Sequence, residues 1–198
     1  MIYIDKIKVI KREHPSNVLP LNFEIECSDI NIIVGEQGTG KSTLLKMLQS
    51  SHKDLEITLT PETIKNGIDT YSFDTEKDNP RNNNLENYTT PNGKSKGIGI
   101  GNFILSHIRS HGEVIRDIML EPLKEAKDCI IFLDEPESGL SISNQYKLKN
   151  ILINAVKNGC QVFVATHCYI LIEAFNVISF DNFKKIGGKK YLKIKSKS

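Results

Sequence analysis

Hydrophobic and polar positions alternate with a period near two in "IYIDKIKVI" (2–10) and "LNFEIEC" (21–27), the pattern of half-buried strands. Pro15 and Pro20 punctuate the link between them, and the two stretches are expected to pair as an antiparallel flank. Three other runs, "NIIV" (31–34), "CIIFL" (129–133) and "QVFVAT" (161–166), are continuously apolar and rich in β-branched residues. Such runs mark strands covered on both faces, which predicts a parallel central sheet. Helical spacing follows two of them, in "KSTLLKMLQS" (41–50) and in "SNQYKLKNILINAVKNG" (143–159), where Gly159 is placed to end the helix. Strand, helix, strand in this order implies right-handed crossovers.

From about Asp74 to Gly101 the rhythm breaks. "DTEKDNPRNNNLENYTTPNGKSKGIGIG" is dense in Asn, Gly, Pro and charge and reads as a long irregular loop. No internal repeat and no run of heptads is present.

Length and charge narrow the picture. A chain of 198 residues suits one α/β domain with a full core, so residues 1–198 are expected to form a single unit. A formal charge of +2 gives no strong average footprint for nucleic acid or anionic lipid. The basic tail "KKIGGKKYLKIKSKS" reads as a solvated terminal hairpin with a frayed end. No apolar run is long enough to span a bilayer, and "MIYIDKIKVIKREH" is too charged for a signal peptide. A soluble, cytoplasmic protein is the expectation. Cys27, Cys129, Cys160 and Cys168 form no C-x-x-C pair and lie in or beside apolar runs, as buried reduced thiols do.

Candidate chemistry sits between the first apolar run and the helix after it. "GEQGTGKST" supplies Gly35, Glu36, Gln37, Gly38, Thr39, Gly40, Lys41, Ser42 and Thr43, and fits the pattern G-x-x-x-x-G-K-[ST]. Glycines let the backbone fold back so that successive N–H groups face one concavity, and the helix adds its unpaired N-terminal donors. The natural guest is a triphosphate, with Lys41 on the β and γ phosphates and the Ser42 hydroxyl completing the coordination of Mg²⁺. A second element, "CIIFLDEPES", puts Asp134 and Glu135 at the end of a buried strand, where ligands of open α/β sheets gather. Asp134 would hold Mg²⁺ through water, and Glu135 would orient and deprotonate an attacking water as general base. Alone, two consecutive acids read equally as a solvated turn.

In this order the residues resemble the ATP-binding cassette ATPases, over most of the chain. "SHGE", with Ser110, Gly112 and Glu113, resembles the family's signature loop, which caps the γ phosphate bound in an opposite subunit. The helical spacing of "VIRDIMLEPLKEA" follows it, limited or kinked by Pro122. "SGLS" (138–141) is similar to the loop that crosses the dimer interface, and His167, ending "VFVATH", stands at the position of the switch histidine. The resemblance implies an α/β P-loop NTPase with a mainly parallel central sheet, flanking helices and an antiparallel β flank. It further implies Mg²⁺-dependent ATP hydrolysis with Lys41, Glu135 and His167 as catalytic residues, in a head-to-tail homodimer.

The departures are specific. "SHGE" replaces the transporter signature Ser-Gly-Gly-Gln, and the segment before it is short where a transporter subunit carries a helical subdomain. Both features are closer to the soluble, SMC-like ATPases of bacteria and archaea, and point to nucleic-acid maintenance or defence through a nucleic-acid or effector-protein partner. A membrane transporter partner is the alternative, and an ATP-binding switch with little turnover or a small-molecule kinase are further ones. "FDTEKDNPR" occupies the place of the glutamine loop without a glutamine; Asp74 or Glu76 would contact Mg²⁺ or water and Arg81 phosphate or nucleic acid, or the charges form a solvated loop. Tyr3, Arg12 and His14 are the candidates for contacting adenine.

Overall fold

A computed structural model describes residues 2–14, 16, 18–60, 67–78 and 119–197. Two sheets organise them. Strands β1 (Ile4–Val9), β2 (Glu24–Glu26) and β4 (Leu55–Leu59) form a three-stranded sheet in the order β2-β1-β4, antiparallel throughout. The expected β flank is present, with Lys6 opposite Glu26 and Ile7 opposite Ile25.

The larger sheet has the order β5-β6-β7-β3-β8-β9, built from β3 (Ile30–Val34), β5 (Asp69–Asp74), β6 (Cys129–Asp134), β7 (Gln161–Ala165), β8 (Asn176–Ser179) and β9 (Lys184–Gly187). The first five strands run parallel and β9 turns back on β8. Both of its faces are covered, which is why its central strands are continuously apolar. Along β6, Ile131 and Leu133 enter one hydrophobic layer with Leu148 and Leu152 of α4 (Ile142–Lys157), whereas Ile130 and Phe132 enter the other with Leu44 and Leu45 of α1 (Lys41–Gln49). Phe132 stacks on Phe163 of β7 at 5.5 Å in that second layer, which also takes in Ile4, Ile7 and Ile25 of the small sheet.

One polar side chain stitches the two sheets together. Gln161, fully buried at the start of β7, accepts from the backbone N–H groups of Tyr3 and Ile4 at 3.0 and 2.8 Å, and donates to the carbonyls of Ile4 and Ser28 at 2.8 and 3.1 Å. A buried amide with both ends satisfied costs little; unsatisfied, it would be expensive.

Two expectations change here. Asp74 closes β5, and Thr75–Asp78 form a short helix, α2, so residues 74–78 are regular structure rather than loop; residues 79–118 lie outside the described ones. The basic tail is a strand, β9, followed by α6 (Gly188–Lys195), not a solvated hairpin: Gly188 and Tyr191 are buried against α5 (Tyr169–Ala174) and the apolar layer around it. The alternation that betrays α6 is masked by five lysines in ten residues, since lysine stems cover apolar surface while their heads stay in water. Pro122 lies in α3 (Glu121–Lys124), directly after a wider π-helical turn at Met119–Leu120. The four cysteines are buried and free, as expected.

Candidate nucleotide site at the strand ends

All five parallel strands bring their C-terminal ends to one edge. Register places Asp74 of β5 beside Asp134 of β6, and Asp134 beside Ala165 of β7, two residues before His167. Gly35 follows β3 on the far side of β7. The 35–43 loop, the two acids and the histidine therefore converge because of strand order, though they are far apart in sequence.

The loop's shape depends on its glycines. A Cβ on Gly35 would lie 2.9 Å from Thr39 Oγ1 and 3.0 Å from Phe180 Cβ, and Gly40 adopts the left-handed conformation at φ 93° where α1 begins. No side chain caps the first turn of α1, so its N–H groups and the positive end of the helix dipole face the loop's concavity. Lys41 lies 6% exposed with its ammonium donating to the carbonyls of Gly35 and Glu36 at 2.9 and 3.0 Å. Desolvation pulls its pKa down, against the opposing pull of Glu135, Asp134, Asp181 and Glu36. This ammonium and the uncapped N–H groups at the start of α1 suit an anionic guest, and the neighbouring carboxylates call for a cation to accompany it.

Ser42 Oγ donates to Asp134 Oδ1 at 3.0 Å. Burial pushes the Asp134 carboxyl upward, and Asp74 and Glu135 push in the same direction while Ser42 and Lys46 oppose them. Lys46 of α1 lies 3.6 Å from Asp74. These groups line a cleft of about 170 Å³ with Thr75 and Ser138. Glu135 adopts a left-handed backbone at φ 48°, unusual for a non-glycine residue, and is held there by its own N–H on Ala165 O and by the Thr75 hydroxyl donating to its carbonyl at 2.7 Å. Its carboxylate stands 3.9 Å from His167 Nε2, both side chains half exposed to solvent.

Among the described residues no three His, Cys, Asp or Glu side chains form a ready-made metal cage. Mg²⁺ needs none: one or two protein oxygens, phosphate oxygens and water suffice, and the Ser42–Asp134 pair beside a surplus of carboxylate charge fits that ion. Glu76 belongs to α2, but its side chain, like Arg81, Ser110, Gly112 and Glu113, lies outside the described residues.

The adenine candidates separate. Tyr3 is a core residue whose hydroxyl donates to Gly159 O before the start of β7, at the opposite end of the sheet from the loop, so its assignment to adenine is corrected. Arg12 donates to Leu19 O, and Leu19 packs under Gly40, which puts Arg12 near the loop; His14 meets the His52 ring edge-on at 5.2 Å.

Sequence reading missed three contributors. Glu137 accepts from the backbone N–H of His167 at 2.7 Å, and burial raises its pKa although the Thr166 hydroxyl favours its charged form. Thr75 ties α2 to the strand end carrying the acids. Asp181 accepts from Glu36 N–H at 2.9 Å. The acidic cluster "DEPES" hinted at Glu137; nothing local marked the other two.

With this geometry in place, the likenesses are informative. A family profile described as ABC transporter matches residues 18–96, less than half the chain. Among solved structures, an inward-facing metal-chelate type ABC transporter aligns at 19% identity and TM-score 0.56, covering 95% of this chain and 84% of that one. A nucleotide-free ATP-binding cassette from an ABC transporter aligns at 16% and 0.54, covering 99% and 96%. A dimeric ATP-binding cassette in a post-hydrolysis state with ADP and Pi aligns at 17% and 0.50, covering 90% and 94%. No curated protein matches the sequence significantly. The chain therefore has the fold of the ATP-binding cassettes, with a phosphate loop of the G-x-x-x-x-G-K-[ST] pattern at its strand ends. The expected leaning towards SMC-like ATPases over transporter subunits gains no support from these likenesses. Among the described residues no helix is long and apolar enough to cross a membrane.

Proposed function

We propose that the chain binds Mg·ATP in the loop Gly35–Thr43 and hydrolyses it, residues 1–198 working as one cytoplasmic ATPase unit. The observation that carries this reading is the convergence of Lys41, Ser42, Asp134, Glu135 and His167 at one sheet edge, with Ser42 and Asp134 joined at 3.0 Å. The backbone amides of the loop and the Lys41 ammonium neutralise the polyphosphate. Ser42 and Asp134 hold Mg²⁺, which when bound neutralises charge on the phosphate oxygens. Glu135 takes the proton of the attacking water, and His167, 3.9 Å away, senses the γ phosphate as a donor. Glu76 is an added candidate for the metal.

Two copies dock head-to-tail in this reading, each supplying Ser110, Gly112 and Glu113 to the other's nucleotide. ATP contacts both copies only in the pair, so it shifts the population towards it. The signature "SHGE" and the short segment before it favour a partner in nucleic-acid maintenance or defence. The transporter description of the matching profile favours the second reading, an ATPase subunit serving a membrane partner.

Sizing chromatography of Glu135→Gln, which keeps binding but removes the base, tests the mechanism: a monomer without nucleotide should become a dimer with Mg·ATP. A variant that stays monomeric with ATP bound refutes the pairing. Stimulation of phosphate release by DNA or RNA, against co-purification with a membrane protein, separates the two roles.

A further inference from the structure

Behind the phosphate loop, away from the cleft, a polar cluster ties it to the C-terminal helix. The peptide unit joining Gly35 to Glu36 is held at both ends. Its N–H donates to Asp181 Oδ1 at 2.9 Å, and its carbonyl, that of Gly35, accepts from the Lys41 ammonium at 2.9 Å. In a planar trans peptide these two groups point in opposite directions, so fixing the N–H fixes where the carbonyl aims. A carboxylate on the N–H also polarises the amide and makes its oxygen a better acceptor for an ammonium.

Asp181 is itself built in. It follows β8, the last parallel strand, with Phe180 N–H bonded to Val34 O at 2.7 Å. Its other oxygen accepts from the Tyr191 hydroxyl at 3.0 Å, and Lys195 Nζ lies 3.2 Å from it; Lys195 also pairs with the Glu36 carboxylate. Both of those residues are on α6. Desolvation works to raise the Asp181 pKa, but the Glu36 amide, Tyr191 and Lys195 outweigh it and hold the group ionised.

We infer that Asp181, clamped by Tyr191 and Lys195, is a positioning residue for the phosphate site: through the Gly35–Glu36 peptide it sets the place and charge environment of the Lys41 ammonium. The inference rests on the reading of Lys41 as a phosphate contact. The C-terminal helix is in this view part of the nucleotide site's support, although none of its residues reaches the cleft.

The test is titration calorimetry of Mg·ATP against the full chain, with thermal unfolding of the nucleotide-free protein measured alongside. Asp181→Ala should weaken binding about 10-fold, and Asp181→Asn, which keeps an oxygen facing the Glu36 N–H but not the charge, about 3-fold, with the nucleotide-free unfolding temperature of the Asn variant near that of the native chain. Lys41→Ala provides the separate check. If it binds as the native chain does, the phosphate-loop reading fails; if it abolishes binding while both Asp181 variants bind within 2-fold of native, the positioning role alone is overturned. Should Asp181→Ala not fold, Asp181→Asn decides: a 3-fold loss supports the role, native affinity overturns it.

Discussion

Ser42 and Asp134 are joined by a 3.0 Å hydrogen bond across 92 residues of sequence, tying the first turn of α1 to the end of β6. A hydroxyl that donates to a carboxylate here can turn its lone pairs to a divalent cation without moving its oxygen far. The pair is thus preset for the ion that accompanies a triphosphate.

Replacing Ser42 by alanine should therefore weaken binding of Mg·ATP by about 10-fold, the scale of one charge-assisted hydrogen bond or metal contact. Binding of ATP with magnesium chelated should change little. Parallel calorimetric titrations with and without the metal check this; equal losses in both would remove Ser42 from the metal site.

Glu137 gives a pH prediction. Burial raises its folded-state pKa, so the native state holds this proton more tightly than the unfolded chain. The resulting stabilisation is fully present below the unfolded carboxylate value, about pH 4, and is lost as pH rises through the folded value. Asp134, also raised, contributes with the same sign. Glu137→Gln keeps an oxygen for the His167 N–H and removes its share, so its stability relative to the native chain should climb as pH is raised from 4 towards neutrality. Urea unfolding across that range measures it, and a difference that is flat or falls contradicts the assignment.

Gln161→Leu leaves two backbone N–H groups and a carbonyl of the β1 end without the side-chain partners they now have. Unsatisfied buried groups cost about 1–3 kcal/mol each, partly recovered by relaxation, so a loss of about 3 kcal/mol in chemical unfolding is expected. A change under about 1 kcal/mol would mean that the two sheets do not depend on this amide.

At Gly188 a Cβ would fall 1.6 Å from Ile172 O and 2.5 Å from Phe175 O, both backbone atoms that cannot swing aside. Gly188→Ala should displace α6 and cost about 3 kcal/mol, the upper range for overpacking. It should also weaken Mg·ATP binding by loosening Tyr191 and Lys195 around Asp181; limited proteolysis of the tail with a binding titration reads both effects.

Much of the molecule was legible from local pattern. The apolar runs 31–34, 129–133 and 161–166 became β3, β6 and β7, since a strand buried on both faces is apolar at nearly every position, the paired amides of Asn31 and Gln161 aside, and so announces itself. Less was legible where burial is one-sided or short: β5, "DTYSFD", has a single fully buried side chain, Phe73, and α6 hides behind its lysines.

The chain by itself determined which segments pair with water and which with protein, and it determined the glycine, lysine and hydroxyl of the loop, because those depend on neighbours within a few residues. Tertiary structure alone decided that Asp134 meets Ser42, that Glu137 holds the His167 backbone, and that Asp181 reaches Glu36 from 145 residues away. Those meetings follow from the order β5-β6-β7-β3-β8, and strand order is fixed by the packing of both apolar layers at once, a sum over the whole chain that no local window contains.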